Sequence, residues 1–235
     1  MSHLPERMFL NPVWHALQGP HRSLLVDGGL AARYPADVAP FAALREPTRA
    51  ALERLAGLLE PGEAVWIVEG GEPRVPELNL EGTLECLQMA LPPETPLPTA
   101  PQAEPATVVP LGAEHAQEMV ALTEVAFPGF FRPSTYRMGS YFGVRASDGR
   151  LIAMAGERLR LQGHPEMSGI CTHPAHRGRG LARRLIAHLA AFQSRQGLVS
   201  WLHVGAANST AIALYHSLGF CTVRSVLLNR VSRAS

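Results

Sequence analysis

Apolar residues recur at helical spacing in one stretch of the chain, directly after a short strand-like segment. Residues 168–172 form an apolar run with a β-branched centre, which favours a buried strand. Pro174 ends that strand because proline cannot donate a hydrogen bond to a sheet ladder. The apolar stripe that follows consists of Leu181, Leu185, Ile186, Leu189 and Phe192. The pattern predicts a strand, a glycine-containing loop and a helix, in that order.

The remainder of the chain after residue 106 has clear periodicity. Helices are predicted over 113–126 and 208–217, with Asn208 suited to cap the second and Gly219 suited to end it. Residues 147–150 read as a hairpin turn. Further strands are predicted over 107–111, 141–146, 151–161, 198–204 and 221–231, the last as one strand or a pair.

The chain before residue 92 is less informative. Residues 64–68 read as a strand, and Pro47 is well suited to be the first residue of a helix over 47–60. Residues 23–26 could form another strand, and 84–91 either a strand or a short helix. No catalytic constellation is found here.

A proline-rich segment divides the chain. Residues 92–106 contain six prolines and no apolar periodicity, which is typical of an exposed, extended linker. We therefore expect an N-terminal non-catalytic α/β domain over 1–91 and a second domain over 107–235. Either the first part packs beside the acceptor pocket of the second, or it is a freely tethered module.

Composition restricts the function. The net charge of the 235 residues is +1, which argues against a nucleic-acid partner, and no apolar run is long enough to cross a membrane. Cys86, Cys171 and Cys221 are scattered, so we expect neither a disulfide framework nor a zinc site. The first residues lack the apolar core of a signal peptide. A cytoplasmic protein is expected, either monomeric or homodimeric.

The glycine loop has the chemistry of an anion site. The first turn of a helix presents unpaired N–H donors at the positive end of its dipole. Gly178 and Gly180 lack a Cβ and let a phosphate approach the backbone, while Arg177, Arg179 and Arg183 add positive charge. The alternative is an ordinary glycine turn beside a solvated arginine-rich helix.

Two motifs resemble one known family. Residues 177–182 read R-G-R-G-L-A, which looks like the R-x-x-G-x-A loop that binds the acetyl-CoA pyrophosphate in the GNAT superfamily of N-acetyltransferases. Residues 208–220, N-S-T-A-I-A-L-Y-H-S-L-G-F, resemble the late helix of that superfamily. The resemblance covers about residues 107–235, and residues 1–91 are compatible with a degenerate half of the same fold.

The resemblance implies a fold, a cosubstrate and a set of contacts. The fold would be mixed α+β, with a twisted sheet flanked by helices and two parallel strands, 166–172 and 198–204, that splay to admit the pantetheine arm. Acetyl-CoA would be the cosubstrate, without a metal. The residues implied to hold it are the backbone of Ile170, Cys171 and Thr172, the loop residues Arg177, Gly178, Arg179, Gly180, Leu181, Ala182 and Arg183, and Asn208.

The resemblance also implies catalytic roles. Glu166 would be the general base, directly or through water, with a strand-end surface carboxylate as the alternative. Tyr215 would protonate the leaving thiolate. Glu157 is a second candidate base and acceptor contact, although neighbouring arginines make an ion pair plausible for it. We reject Cys171 as a nucleophile, and expect His173 and His176 to be loop residues and not metal ligands.

The acceptor is less defined. Phe130, Phe131 and Arg132 are expected to form one wall of its pocket, with core packing of the phenylalanines as the alternative. The acceptor would be a small-molecule amine or an exposed protein amine. Two other functions stay open: an N-acyltransferase that uses a longer acyl-CoA, and a CoA-binding regulatory module without turnover.

Overall fold

The fold is built on one mixed sheet. The computed structural model describes residues 6–69, 75–99, 107–126 and 128–234. Its strands are β1 Val26–Asp27, β2 Ala31–Arg33, β3 Phe41–Leu44, β4 Ala64–Val68, β5 Leu78–Ala90, β6 Val108–Leu111, β7 Tyr141–Arg145, β8 Leu151–Leu161, β9 His164–Thr172, β10 Trp201–Gly205 and β11 Cys221–Arg233. Its α-helices are α1 Glu6–Leu10, α2 Pro12–Gln18, α3 Arg49–Ala56, α4 Ala116–Ala126, α5 Leu181–Ser194 and α6 Ser209–Ser217.

Strands from both parts of the chain share this sheet. The spatial order is β1-β2-β3-β4-β11-β5-β10-β9-β8-β7-β6. Neighbouring strands are antiparallel except for two parallel pairs, β3 with β4 and β9 with β10. Helices α2, α4 and α5 pack on the sheet. This architecture confirms the predicted mixed sheet flanked by helices.

The strand β5 lies between two strands of the later segment. Residues 86–90 pair with β10 on one side, and the full length of β5 pairs with β11 on the other. Strand β11 also pairs with β4 through residues 228–232. The assignment of residues 1–91 and 107–235 to separate domains stays a prediction, but their strands do not form separate sheets.

The helix α3 begins later than its sequence predicts. Pro47 was expected to be its first residue, but the helix begins at Arg49. Thr48 takes the capping position because its hydroxyl accepts a hydrogen bond from the N–H of Ala51 at 3.3 Å. The apolar face of α3 then packs Leu52 and Leu55 against β2 to β4.

Other boundaries also differ. The expected strand 23–26 is a 3₁₀ turn at Arg22–Leu24 followed by β1, and the segment expected at 84–91 is a strand that already begins at Leu78. The final segment is one strand, not a pair. Of the proline-rich segment, residues 92–99 are described and partly exposed, while 100–106 lie outside the described residues.

The two helices expected after the glycine loop and after β10 are confirmed. Helix α5 packs Leu185, Ile186 and Leu189 into the sheet, with none of the three exposed to solvent. The side chain of Asn208 caps α6 by accepting a hydrogen bond from the N–H of Ala211 at 3.1 Å. Gly219, with φ of 91°, follows the end of α6 in the left-handed conformation that glycine favours.

Candidate active site

The two central parallel strands separate, as the sequence predicts. Strands β9 and β10 pair only at Glu166 with Trp201 and at Met167 with Leu202. The gap beyond these pairs opens into a cavity of about 270 Å³. It is lined by Leu84, Cys86, Phe130, Arg158, Met167, Ser168, Gly169, Ile170, His203, Val204, Gly205, Asn208, Ala211, Tyr215 and Leu228. Residues of both parts of the chain therefore meet at this cavity.

The glycine loop forms the exposed start of α5. Gly178 has a φ of 79° and Gly180, at the N-cap, has a φ of 72°. A Cβ at position 178 would meet no atom within 4 Å, so the space above this backbone is open. Arg177 and Arg179 are exposed beside it. An exposed helix N-terminus with left-handed glycines and nearby arginines fits a pyrophosphate group.

The side chains of Arg183 and Leu181 contact other parts of the protein and not the open space above the glycine loop. The Arg183 guanidinium donates a hydrogen bond to Ser217 Oγ at 2.5 Å and so joins α5 to α6. Leu181 is 7% exposed and packs in the core, which leaves its backbone as the part that faces the loop. These residues stay predicted contacts of the cosubstrate, as do Ala182 and Thr172.

Tyr215 reaches the cavity from α6. Its side chain is buried, and burial raises the pKa of its hydroxyl to about 12. The hydroxyl makes no hydrogen bond within the part of the chain that the structure describes. A tyrosine with such a pKa keeps its proton at neutral pH and is able to donate it.

Glu166 lies beneath the cavity in a buried ionic network. Its carboxylate accepts hydrogen bonds from Arg158 at 2.5 and 2.9 Å and from the backbone N–H of Leu159 at 3.2 Å. The Nδ1 atom of His203 lies 2.7 Å from the same carboxylate. Burial alone would raise the pKa of Glu166, but the charges and hydrogen bonds of Arg158 and His203 outweigh it and lower the pKa to about 2. Glu166 is therefore ionised and a weak proton acceptor at neutral pH.

Glu157 occupies a different buried site. Its carboxylate accepts hydrogen bonds from the N–H of Ser140 and the amide of Gln193, both at 3.0 Å. Arg160 lies 3.9 Å away, so the ion pair considered for Glu157 is present. Glu157 does not line the cavity between β9 and β10.

The aromatic loop is divided between the cavity and the core. Phe130 lines the cavity and stacks between Phe41, at 6.1 Å, and Trp66, at 5.4 Å between ring centroids. Phe131 is 6% exposed and packs edge-on against Tyr141, which fits the core-packing alternative. Arg132 is half-buried and does not line the cavity.

Sequence reasoning missed much of the acceptor side of the cavity. His203 interrupts the otherwise apolar strand β10, and this was an available signal. Arg158 lies beside Glu157 in a part of β8 that also holds Arg160, so its pattern does not single it out. Leu84 and Cys86 come from β5, in the part of the chain without motifs. Their position depends on a pairing with β11 across more than 130 residues of sequence, which no local pattern reveals.

The buried cysteines have surroundings that do not activate their thiols. Burial raises the pKa of the Cys171 thiol to about 12 and that of Cys86 to about 11, so both are protonated and poorly nucleophilic at neutral pH. No group of three or more metal-ligating side chains is found in the described residues. Among the helices of those residues, none has the length and apolar character of a membrane span.

Comparison with known proteins agrees with this geometry. Residues 141–227 match the family model described as FR47-like protein. The chain is 36% identical over 128 residues to the N-alpha-acetyltransferase RimI of Mycobacterium tuberculosis. The aligned region covers 50% of this chain and 79% of that enzyme. A solved structure of a putative GNAT-family acetyltransferase from Novosphingobium aromaticivorans has a TM-score of 0.85 and 38% identity, with 97% of this chain and 99% of that chain covered.

The similarity to a third protein covers a smaller share of that protein. The [ribosomal protein bS18]-alanine N-acetyltransferase of Salmonella typhimurium is 40% identical over 75 residues, 32% of this chain and 50% of that enzyme, so the chain spans half of its length. Together, the splayed strands, the glycine loop and these similarities define an acyltransferase. The chain belongs to the GNAT superfamily of N-acetyltransferases.

Proposed function

We propose that the chain transfers the acetyl group of acetyl-CoA directly to a peptide or protein amine. The observation that carries this proposal is the cavity between β9 and β10, which Tyr215 lines, together with the exposed glycine loop that follows β9 and begins α5. The relatives named as N-alpha- and alanine N-acetyltransferases support an amine acceptor of this class.

The proposed cosubstrate site follows the gap between the strands. The pyrophosphate would be held by residues 177–182, and the pantetheine arm by the backbone of Ile170, Cys171 and Thr172 on β9. Asn208 lines the cavity on the opposite side in addition to capping α6. The unpaired edge of β9 beyond Met167 supports this placement, since it leaves backbone groups available to an extended ligand.

The proposed reaction needs a proton acceptor, an oxyanion site and a proton donor. The amine nitrogen attacks the thioester carbon, the C–S bond breaks, and Tyr215 gives its proton to the leaving sulfur. Backbone N–H groups of β9 would stabilise the oxyanion. The amine must lose one proton, and the group that takes it must be reached from the cavity.

Glu166 was predicted to take that proton, and its surroundings favour an indirect role. Of the Glu166–His203 pair, only His203 lines the cavity. In the proposed mechanism His203 accepts the proton through water, while Glu166 fixes the ring through Nδ1 at 2.7 Å. The other ring nitrogen lies 3.1 Å from the amide nitrogen of Gln88, whose Oε1 has no partner among the described residues. The same amide nitrogen donates a hydrogen bond to the carbonyl of Phe9 at 2.8 Å, which fixes the orientation of the amide.

The acceptor pocket is proposed to include the earlier part of the chain. Leu84, Cys86 and Phe130 form the wall opposite Tyr215, and Arg158 is neutralised by Glu166. The pocket therefore presents apolar walls without an uncompensated charge. This composition suits an uncharged amine beside an apolar or small side chain.

The test is an acetyl-transfer assay that detects free CoA over a panel of amines. Tyr215→Phe should lower kcat by about 10²–10⁴, with unchanged CoA affinity by calorimetry, because a positioned acid contributes about that much. Tyr136→Phe, a half-buried tyrosine away from the cavity, is the matched control. Gly180→Glu should abolish CoA binding, because it places a negative side chain at a left-handed N-cap.

Three outcomes contradict the proposal. Near-normal turnover by Tyr215→Phe would remove this residue from the mechanism. A preference for longer acyl-CoA in the same assay would replace acetyl transfer with acyl transfer, and CoA binding without turnover on any amine would leave a regulatory module.

A further inference from the structure

Strand β5 has an unpaired edge that begins at the cavity. Strand β10 covers only residues 86–90 of β5, and one more hydrogen bond joins the N–H of Ala206 to the carbonyl of Glu85 at 2.9 Å. Within the described residues, no strand pairs with residues 79–84 on that side, and all six are exposed. An exposed, unpaired strand edge is a template for an added strand.

The direction of the free backbone groups can be read from the ladder. Backbone groups of alternate residues point to the same side of a strand. Because the carbonyl of Glu85 points towards β10, the N–H and C=O of Thr83 point to the same side, where no strand lies. The other edge of the strand pairs with β11, except at Glu81, where the register shifts. The hydroxyl of Thr83 also donates a hydrogen bond to the Asn229 side chain of β11 at 2.8 Å.

The edge is continuous with the proposed acceptor pocket. Leu84 and Leu228 are direct cross-strand partners, and both line the cavity. A segment that pairs with residues 79–84 would continue the line of β10 from the point where β10 leaves the sheet at Gly205. If it also kept the direction of β10, antiparallel to β5, its N-terminus would lie at the cavity.

The charge of the edge selects among peptides. Residues 77–85 read E-L-N-L-E-G-T-L-E, with three carboxylates and no cation. Arg230 of β11 offsets Glu81, at 3.2 Å. The remaining charge favours a basic partner. A register shift lies between Leu84 and Leu80, so the two exposed leucines face opposite sides of the sheet, and Leu84 is the one that extends the apolar wall of the cavity.

We infer that residues 79–84 of β5 bind the acceptor as an added antiparallel strand, and that this acceptor is an extended, basic peptide with a free N-terminal amine. The inference rests on the proposed function, and it specifies how the acceptor is held outside the cavity. Main-chain hydrogen bonds would supply affinity with little sequence preference, while the pocket would read the first residue.

The experiment compares two acceptors on two variants. The acceptors are an eight-residue basic peptide with a free N-terminus and alanine amide, which is too short to reach the edge. Thr83→Pro removes the outward N–H, and Thr83→Val is the matched control that keeps it. Both variants lose the hydroxyl contact with Asn229, so the difference between them reports on the N–H. Thr83→Pro should raise the peptide KM about tenfold, as expected for lost backbone hydrogen bonds, and leave alanine amide unaffected. Thr83→Val should change neither.

A second measurement does not depend on the folding of a variant. N-methylation of the peptide at residues that face β5 should weaken its binding to the wild-type chain, measured by fluorescence anisotropy, whereas methylation at the alternate residues should not. An N-terminally blocked peptide with a lysine should not be acetylated.

Several results would overturn the inference. These are equal KM values for the peptide and alanine amide, equal effects of Thr83→Pro on both, or no effect of N-methylation. A concentration-dependent dimer that is lost in Thr83→Pro would show that the edge binds a second copy instead. If no amine is acetylated, the proposed function fails, and the anisotropy measurement still decides whether the edge binds peptide.

Discussion

The two parts of the chain differ in what they carry and in what they complete. Residues 107–234 contain the glycine loop, Tyr215 and Glu166, yet their strands β10 and β11 are not neighbours in the sheet. Residues 6–91 contain no motif, yet their strand β5 joins those two strands and supplies Leu84 and Cys86 to the cavity. The part that carries the chemistry is therefore structurally incomplete without the part that carries none.

The largest expected effect comes from separating the two parts. A fragment of residues 107–235 should not fold, because β10 and β11 would both lose β5 and expose the buried Val226, Leu228 and Val231. Circular dichroism and urea unfolding would measure this. As a control, the intact chain cleaved at a protease site inserted within 100–106 should stay assembled. A fragment that unfolds cooperatively and binds CoA normally would show that residues 107–235 fold without β5.

A smaller effect is expected where the two parts meet at the buried ion pair. Arg158 contacts the ring of Phe41 at 4.7 Å and pairs with Glu166. Arg158→Met should lower the free energy of unfolding by about 3–5 kcal/mol, because it leaves a buried carboxylate without its main partner. Arg150→Met, which breaks a solvent-exposed pair with Asp148, should lower the free energy of unfolding far less, because water screens that pair. Equal losses in the free energy of unfolding for the two variants, measured by urea unfolding, would contradict this prediction.

The third prediction concerns a hydrogen-bonded clamp between the two parts. His21 contacts the hydroxyl of Tyr34 at 2.7 Å and the carbonyl of Met138 at 2.8 Å. Burial lowers the pKa of His21 from 6.5 to about 4, so the folded state holds it neutral. The unfolded state then binds the proton more tightly, and stability is complete above pH 6.5 and falls as the pH decreases towards 4.

The slope of that pH dependence is measurable. The loss should approach about 1.4 kcal/mol per pH unit below 6.5, and His21→Gln should flatten it between pH 4.5 and 7. Urea midpoints across this range, above the titration of most carboxylates, would give the slope. The same slope in both proteins would exclude His21 as its source.

What the sequence predicts correctly is local. The glycine loop and the capping Asn208 follow from patterns within a few dozen residues, and the structure contains both. The separation of β9 from β10 was implied by the resemblance to the GNAT superfamily, and the structure contains it as well. The place of β5 in the sheet is not predicted, because it depends on long-range pairing, and the sequence left open whether Phe131 lines the pocket or packs in the core. The network of Glu166, Arg158 and His203 joins three strands, so the carboxylate's neighbours could not be inferred from its own segment.

The central position of β5 also has a kinetic consequence. Thr83 contacts Asn229 across 146 residues of sequence, and Leu227 contacts Glu69 across 158. Contacts so distant in sequence require the closure of very long loops before they stabilise anything, and chains dominated by them fold slowly. Until β11 has paired with β4 and β5, two apolar strand edges stay open to other chains. We therefore expect refolding yield to fall steeply with protein concentration, and aggregation to compete with folding at this one step.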